Sequence, residues 1–341
     1  MDAHATEAPG TMNNGICVII AAKNAAPTIG RAVSSALRER ETSEVVVIDD
    51  GSTDDTGAAA LAAADSSGRL QVHRFDQNRG PSAARNHAIG VSRAPILAVL
   101  DADDFLLPGR FSRLLAEDDW DFIADNIAFV DQSRASRALE IADLEPRPYL
   151  LTLEDFVAGN ISRRGVRRGE IGFLKPLMRR EFLNRHALRY QEQLRLGEDY
   201  DLYARALAQG ARYKVIHSCG YGAVVRGDSL SGSHGTDDLK RLYEADRALL
   251  SQSGLSPRAR SLIRSHERHI RARYELRHFL DLKRQAGFRR ALAYVATNPA
   301  AFPAIAGGIF TDKTARFRRS VPAAPEIGGV RYLLAAPSRS G

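Results

Sequence analysis

Four short apolar runs recur through the N-terminal part of this chain: residues 16–22 (ICVIIAA), 44–48 (EVVVI), 70–75 (LQVHRF) and 95–100 (PILAVL). The first two are rich in β-branched residues, and each of the four reads as a strand. The first, second and fourth are continuously apolar, the pattern of strands covered on both faces, while the third alternates. Pro27 and Thr28 start a helix to about residue 37, and an alanine-rich helix runs to about residue 64. Asn78-Arg79-Gly80-Pro81 then breaks the chain before a helix to about residue 91. This βαβαβαβ order calls for an α/β fold, a doubly wound, mostly parallel, Rossmann-like sheet with right-handed crossovers.

In such sheets ligands bind outside the carboxyl ends of the strands. Three ends here are polar: Ala22-Lys23-Asn24, Asp49-Asp50-Gly51-Ser52 and Asp101-Ala102-Asp103-Asp104. They fall along one rim, so one ligand can touch all three. Three carboxylates on the 101–104 turn repel each other unless a cation sits among them, and hard oxygens suit Mg²⁺ or Mn²⁺. Acidic clusters are also ordinary in solvated turns. No GxGxxG follows the first strand and no GxxxxGK[ST] loop occurs, which disfavours hydride transfer and P-loop chemistry.

At 341 residues the chain can bury one large core or two smaller ones. Its net charge of +7 conceals an asymmetry. Residues 1–160 hold 14 Lys+Arg against 25 Asp+Glu, and residues 161–341 hold 34 against 16. The acidic front half does not suggest nucleic acid, and no ladder of aromatics interleaves with the basic residues. The basic back half suits anionic lipid or a phosphorylated substrate. Cys17 opens a strand and reads as a buried free thiol, with Cys219 far away in sequence. That fits a reducing cytoplasm. Residues 1–14 are polar, read as a disordered tail, and lack the character of a signal peptide.

The strings VVVIDDGSTDDT, NRGPSAARN, AVLDADD and GEDYDL, in that order across residues 16–230, resemble a family 2 glycosyltransferase of the GT-A fold. Finer texture, including Ala21-Ala22-Lys23-Asn24, is similar to bacterial exopolysaccharide glucosyltransferases of the succinoglycan type. The resemblance implies a nucleotide-sugar site at Ala21, Lys23, Asn24, Asp50, Gly80, Arg85, Asn86, Asp101 and Arg226. Asp50 would face uracil or ribose, since uracil offers an N3–H donor. Acids there, with Ser52, also cap turns and helices. Many relatives carry an aromatic ring where this chain has Lys23, which leaves Lys23 to reach a phosphate or the base. Gly80 allows close approach at a helix N-terminus, with Arg85 and Asn86 beside the nucleotide. Asp101 would meet ribose or bound water, and Asp104 only begins the next turn. Asp103 matches the family's metal ligand, the cation bridging the phosphates and neutralising departing UDP.

In the GEDYDL string the resemblance makes Asp199 the general base for an acceptor hydroxyl and lets Glu198 orient the acceptor. Acids in a first helical turn also serve the helix dipole. Asp201 reads as surface. A strand over residues 221–225 leads to Arg226, which would fold over the diphosphate; the spacing to His234 does not match a metal ligand cleanly.

From about residue 235 the texture is helical and basic, with 15 Lys+Arg against 4 Asp+Glu between Ser256 and Ser320. This reads either as a helical bundle with a solvated basic face or as an interfacial element on anionic lipid. Residues 291–310 are apolar but interrupted by Asn298, Pro299 and Pro303, which argues against a spanning helix. Residues 312–341 read as loosely ordered at their end. The expected division is a tail (1–14), a GT-A catalytic domain (15–234) and a basic helical C-terminal region (235–341). The expected protein is a metal-dependent, inverting hexosyltransferase. It would move glucose from a UDP-sugar to a lipid-linked oligosaccharide, in the cytoplasm or at the inner face of the membrane. The alternatives are a nucleotidyltransferase acting on a sugar phosphate and a silent sugar-nucleotide-binding scaffold.

Overall fold

A computed structural model of the chain describes residues 15–132, 147–161, 171–225, 234–315, 326–327 and 330–334. The strands β1 (Ile16–Ala22), β2 (Thr42–Asp49), β3 (Leu70–Arg74) and β4 (Ile96–Val99) alternate with the helices α1 (Ala26–Arg38), α2 (Thr56–Ala62) and α3 (Pro81–Val91). All four strands are parallel, in the spatial order β4-β1-β2-β3. Ala22 lies opposite Asp49, and Ile19 lies opposite Val99. The three polar strand ends therefore emerge together at one rim.

The pleat explains the apolar runs. Alternate side chains point to opposite faces, and both faces are covered. Cys17, Ile19, Val46, Ile48, Leu97 and Val99 enter one core, with Ala83, Ala84, Ala88 and Ile89 of α3. Ile16, Val18, Ile20, Val45, Val47, Ile96 and Ala98 enter the other, with Ile29, Ala32, Val33 and Ala36 of α1. Cys17 and Cys219 are buried free thiols, and burial pushes each up to about 12.

Beyond β4 come β5 (Phe105–Leu106), α4 (Arg110–Leu115), β6 (Phe122–Asp131), β7 (Tyr149–Leu151), α5 (Leu153–Asn160) and a 3₁₀ turn at Ile171–Phe173. They are followed by β8 (Leu177–Arg179), α6 (Arg180–Arg185), α7 (Glu198–Ala208) and β9 (Tyr213–Val225). β8 inserts antiparallel between β4 and β6, so the parallel character belongs to β1–β4 and to the β6–β9 pair. The sheet as a whole is mixed.

The C-terminal part holds α8 (Thr236–Leu250), α9 (Pro257–Ala286), α10 (Phe288–Thr297) and α11 (Phe302–Ala315), then β10 (Glu326–Ile327) and β11 (Val330–Tyr332). α8 packs on α7 and α9, and α9 packs on α5. Buried Asp246 of α8 bolts the region to α7, accepting from the Tyr200 hydroxyl at 3.1 Å and meeting His266 Nδ1 of α9 at 2.7 Å. The loose order expected at the end of residues 312–341 lies outside the described residues, which near the C-terminus include a final strand. β11 pairs antiparallel with β6, and the Asn126 side chain donates to the Leu334 carbonyl and accepts from its N–H. A helix-period reading misses this because the strand is three residues long. Among the described residues no helix is long and apolar enough to cross a membrane.

Candidate active site

The rim is shaped by backbone before any functional group is placed. Gly51 has φ +67°, and a Cβ there would lie 2.6 Å from the Gln77 carbonyl carbon, so only glycine lets the 49–53 turn meet the 77–80 loop. Asn24, at φ +50°, donates its N–H to Ser52 Oγ and accepts from Thr53 N–H, joining the ends of β1 and β2. Asp50 is buried; it accepts from Asn78 Nδ2 (3.0 Å), Arg79 N–H (2.6 Å) and Gly80 N–H (2.8 Å). Its carboxylate thus holds the entry to α3, where Gly80 takes φ +95°. Asp49 is buried with Ser52 N–H and Arg74. Lys23 is exposed just beyond β1, and Ala21 is half-buried opposite Ile48.

The centre of the site is a network of opposite charges from four segments. Arg85 of α3, buried, reaches Glu198 and Asp199 at 3.0 Å with one terminal nitrogen and Asp101 at 3.1 Å with the other. Lys175, also buried, meets Asp199 at 2.8 Å and Asp101 at 3.0 Å. The strand-end acid and the helix-start acids, nearly a hundred residues apart, are therefore clamped by the same two cations. Burial opposes the charge on Asp101, yet Lys175 and then Arg85 hold its carboxyl down to about 2. Burial likewise opposes the charges on Arg85 and Lys175, but the surrounding carboxylates keep both protonated well above the ordinary range.

Around this network lies a supporting layer. Asn86 uses both amide atoms on the Tyr190 backbone, and the Tyr190 ring lies under the Arg85 guanidinium, 5.2 Å from its centroid. Arg110, fully buried and paired with Asp125 at 2.9 Å, donates to the Lys175 carbonyl. Tyr221 donates its hydroxyl to Asp104 at 2.8 Å and accepts from Asp101 N–H. Asp104 thus does more than begin a turn: it is buried and also accepts from Val224 N–H. Burial, then Asp101 and Asp103, push its carboxyl up to about 8. Asp103 is half-buried at the rim, and its carbonyl accepts from Arg31.

Asp201 corrects the expectation of a surface acid. It is buried, paired with Arg205 at 2.6 Å and receiving a hydrogen bond from Gln191. One turn of helix carries Asp201 to the face opposite solvent, and Arg205 at i+4 completes it. Arg226 lies outside the described residues, and His234 sits half-buried just before α8. Sequence reasoning missed Lys175, Arg110, Tyr190 and Tyr221. For Lys175 a signal existed: a lone cation in the apolar stretch Phe173-Leu174-Lys175-Pro176-Leu177-Met178 needs a buried partner.

The model of glycosyl transferase family 2 matches residues 17–182. The succinoglycan biosynthesis protein ExoU of Rhizobium meliloti (strain 1021) is 68% identical over 324 residues, covering 94% of this chain and 95% of the relative. The chain is a family 2 glycosyltransferase. The succinoglycan biosynthesis protein ExoO of the same organism is 37% identical over 309 residues, 89% of this chain and 86% of that one. Among solved structures, S. aureus TarS 1-349 in complex with UDP-GlcNAc aligns with a TM-score of 0.55 at 19% identity, covering 82% of this chain and 79% of TarS. That likeness shows the shared GT-A fold. Membership in the family favours sugar transfer over nucleotidyl transfer.

Enzymes of the GT-A fold commonly use divalent metals. Among the described residues no group of three or more His, Cys, Asp or Glu could hold a metal ion. In the 101–104 turn Asp101 is engaged by Arg85 and Lys175, and Asp103 lies half-buried at the rim. One carboxylate suits a cation completed by substrate phosphates and water, as Mg²⁺ is commonly bound, and does not suit an all-protein cage.

Proposed function

We propose that this glycosyltransferase acts in the biosynthesis of a succinoglycan-type exopolysaccharide, moving glucose from UDP-glucose to a hydroxyl of a lipid-linked oligosaccharide with inversion. The observation that carries the reading is the clamp of Arg85 and Lys175. It brings the strand-end acid Asp101 and the helix-start acids Glu198 and Asp199 together within 3.1 Å of shared cations. The resemblance to ExoU supports the pathway, and the TarS complex, with its UDP-GlcNAc, supports a UDP-sugar donor.

In this mechanism the nucleotide lies across the ends of β1, β2 and β4. Asp50 is beside the base, Lys23 reaches the base or a phosphate, and Asp101 is near the ribose. Asp199 accepts the proton of the acceptor hydroxyl as that oxygen attacks the anomeric carbon from the face opposite UDP; the C1–O bond to UDP breaks and the configuration inverts. Glu198 orients the acceptor. Arg85 and Lys175 hold Asp199 in place and fix its direction, an arrangement worth most in a site shielded from water. Asp103 would hold a divalent cation, which when bound supplies charge neutralisation for the departing diphosphate. The site would work in the cytoplasm, at the inner face of the membrane where a lipid-linked acceptor is presented.

The test is UDP release across a panel of UDP-sugars, with lipid-linked acceptor and Mg²⁺ or Mn²⁺. Release dependent on both UDP-glucose and acceptor, yielding a β-linked product from the α-linked donor, supports the reading. Preference for another UDP-sugar replaces glucose, and retention of configuration removes Asp199 as the base of a single displacement. Diphosphate release from a nucleoside triphosphate and a sugar phosphate would instead reinstate nucleotidyl transfer.

A further inference from the structure

Half of the strongly exposed large apolar side chains among the described residues crowd into one short stretch. Leu280, Phe288, Leu292, Phe302 and Phe310 are 43–68% exposed, whereas the other five are dispersed between residues 61 and 225. Exposed apolar residues scattered singly need no explanation, but a concentration does.

Leu280, Phe288, Leu292 and Phe302 stand outside the apolar cluster that packs the helices carrying them. α10 and α11 turn their inner faces onto α9, where Phe279, Ala291, Ala301 and Ile305 are buried together. Gly308 marks how closely α11 lies on α9, since a Cβ there would stand 2.5 Å from a Leu276 methyl. With the inner faces filled, Phe288 and Leu292 stand one turn apart on the outer side of α10. Phe302, Ala306 and Phe310 repeat at the same interval along the exposed side of α11. Asn298-Pro299 splits the stretch, so neither helix can span a bilayer, but each is long enough to lie along one.

Charge identifies the partner. Residues 282–311 contain no Asp or Glu, and their cations Lys283, Arg284, Arg289 and Arg290 are exposed. Asp281 and Asp312 bound the stretch, and Asp281 approaches Arg284 at 3.8 Å. Two copies of so one-sided a surface would repel, whereas apolar side chains ringed by cations complement an anionic bilayer. Two arginines farther back on α9 make contacts within their own helix. Arg271 is engaged by Glu275, and Arg268 by the Arg264 carbonyl.

We propose that the outer faces of α10 and α11, with the end of α9, form an interfacial anchor that seats the protein on an anionic lipid surface. The apolar side chains enter the headgroup–acyl boundary and the flanking cations meet lipid phosphates. This deepens the lipid-linked acceptor reading by naming the element that brings the cleft to the membrane, but its test needs neither donor nor acceptor.

The full chain is sedimented with phosphatidylcholine vesicles, with and without phosphatidylglycerol. The wild type is expected to sediment with phosphatidylglycerol vesicles, and less of it in high salt. Phe302→Trp should gain a blue-shifted emission, quenched by brominated acyl chains, beyond the signal of buried Trp120. Leu292→Asp combined with Phe302→Asp should lower vesicle partition by roughly tenfold or more, with melting temperature and UDP-sugar binding unchanged. Absence of wild-type sedimentation at low salt overturns the proposal. So does sedimentation without quenching of the introduced Trp, which would mean attachment by charge alone. A wild-type dimer in light scattering that the double aspartate variant dissolves overturns it too, by assigning the faces to a second copy. None of these outcomes depends on whether the protein transfers glucose, so a failed transfer assay and a failed anchor remain distinct.

Discussion

Asp199 is buried and gripped from two sides by Arg85 and Lys175, so its orientation owes as much to those cations as to its own helix. Replacing one member of a buried ionic set leaves the others uncompensated, at a cost of about 3–5 kcal/mol. Lys175→Met is therefore expected to lower thermal stability and to reduce kcat more than it raises KM for the donor. Lys175→Arg, which keeps the charge, should recover part of kcat. Equal loss in both variants would reduce Lys175 to a packing role. Asp199→Asn keeps the size but cannot take the proton, so transfer should fall by roughly 10²–10⁴ while calorimetry still detects donor binding; normal transfer would move the base elsewhere. At the rim, Asp103→Asn should cost on the order of 10² in turnover, and wild-type activity should vanish in EDTA and return with Mg²⁺ or Mn²⁺. Full activity in EDTA would sink the metal assignment. Of these residues, Asp103, Arg85, Glu198 and Asp199 stand inside motifs legible in the sequence. Lys175 and Tyr190 do not, because their neighbours are distant in the chain.

At the scale of elements, the site depends on loops held to fixed shapes by glycine and by buried carboxylates. Gly51 combines a positive φ with backbone of the 77–78 segment less than 3 Å from where a Cβ would stand. The three nearest atoms are all backbone, so nothing yields cheaply. Gly51→Ala is expected to destabilise the fold by about 1–3 kcal/mol and to weaken UDP binding more than a surface Gly→Ala change would. The comparison is Gly90→Ala, where a Cβ meets nothing within 4 Å; equal melting temperatures for the two variants would contradict this account. The strands and helices of the first hundred residues matched their sequence pattern because burial on both faces makes a strand continuously apolar. β8 and β11, three residues each, were invisible for the converse reason: such short runs carry no measurable period.

Across the whole molecule, the C-terminal part packs on the catalytic part through α8 and α9, and two further links tie them. Asp246 links α8 to Tyr200 of the helix that begins with Glu198 and Asp199, and β11 extends the sheet beyond β6. Removing residues 316–341 would strip the buried Asn126 side chain of both its bonds to Leu334 and uncover the cluster of Phe105, Ala128, Val130 and Cys219. An unsatisfied buried amide costs about 1–3 kcal/mol, and lost apolar burial adds to it. The truncated protein should melt at lower temperature and be cut faster by protease. An unchanged melting curve would show that β11 contributes nothing to the sheet.

By itself the sequence determined the alternation of buried strands and helices, the rim where three polar strand ends meet, and the motif acids that mark a family 2 glycosyltransferase. Those features are local: burial writes its period into a few consecutive residues, and acids at strand ends stay where the strands put them. Tertiary structure alone decided which charges meet. Arg85 and Lys175 lie ninety residues apart and Asp101 and Asp199 nearly a hundred, and only the insertion of β8 beside β4 sets Lys175 between those acids. The same holds for Asp201, which an acidic helix start makes look solvated and which packing turns inward onto Arg205. Ion pairs are chosen by distance in space, and no local period in the chain records that distance.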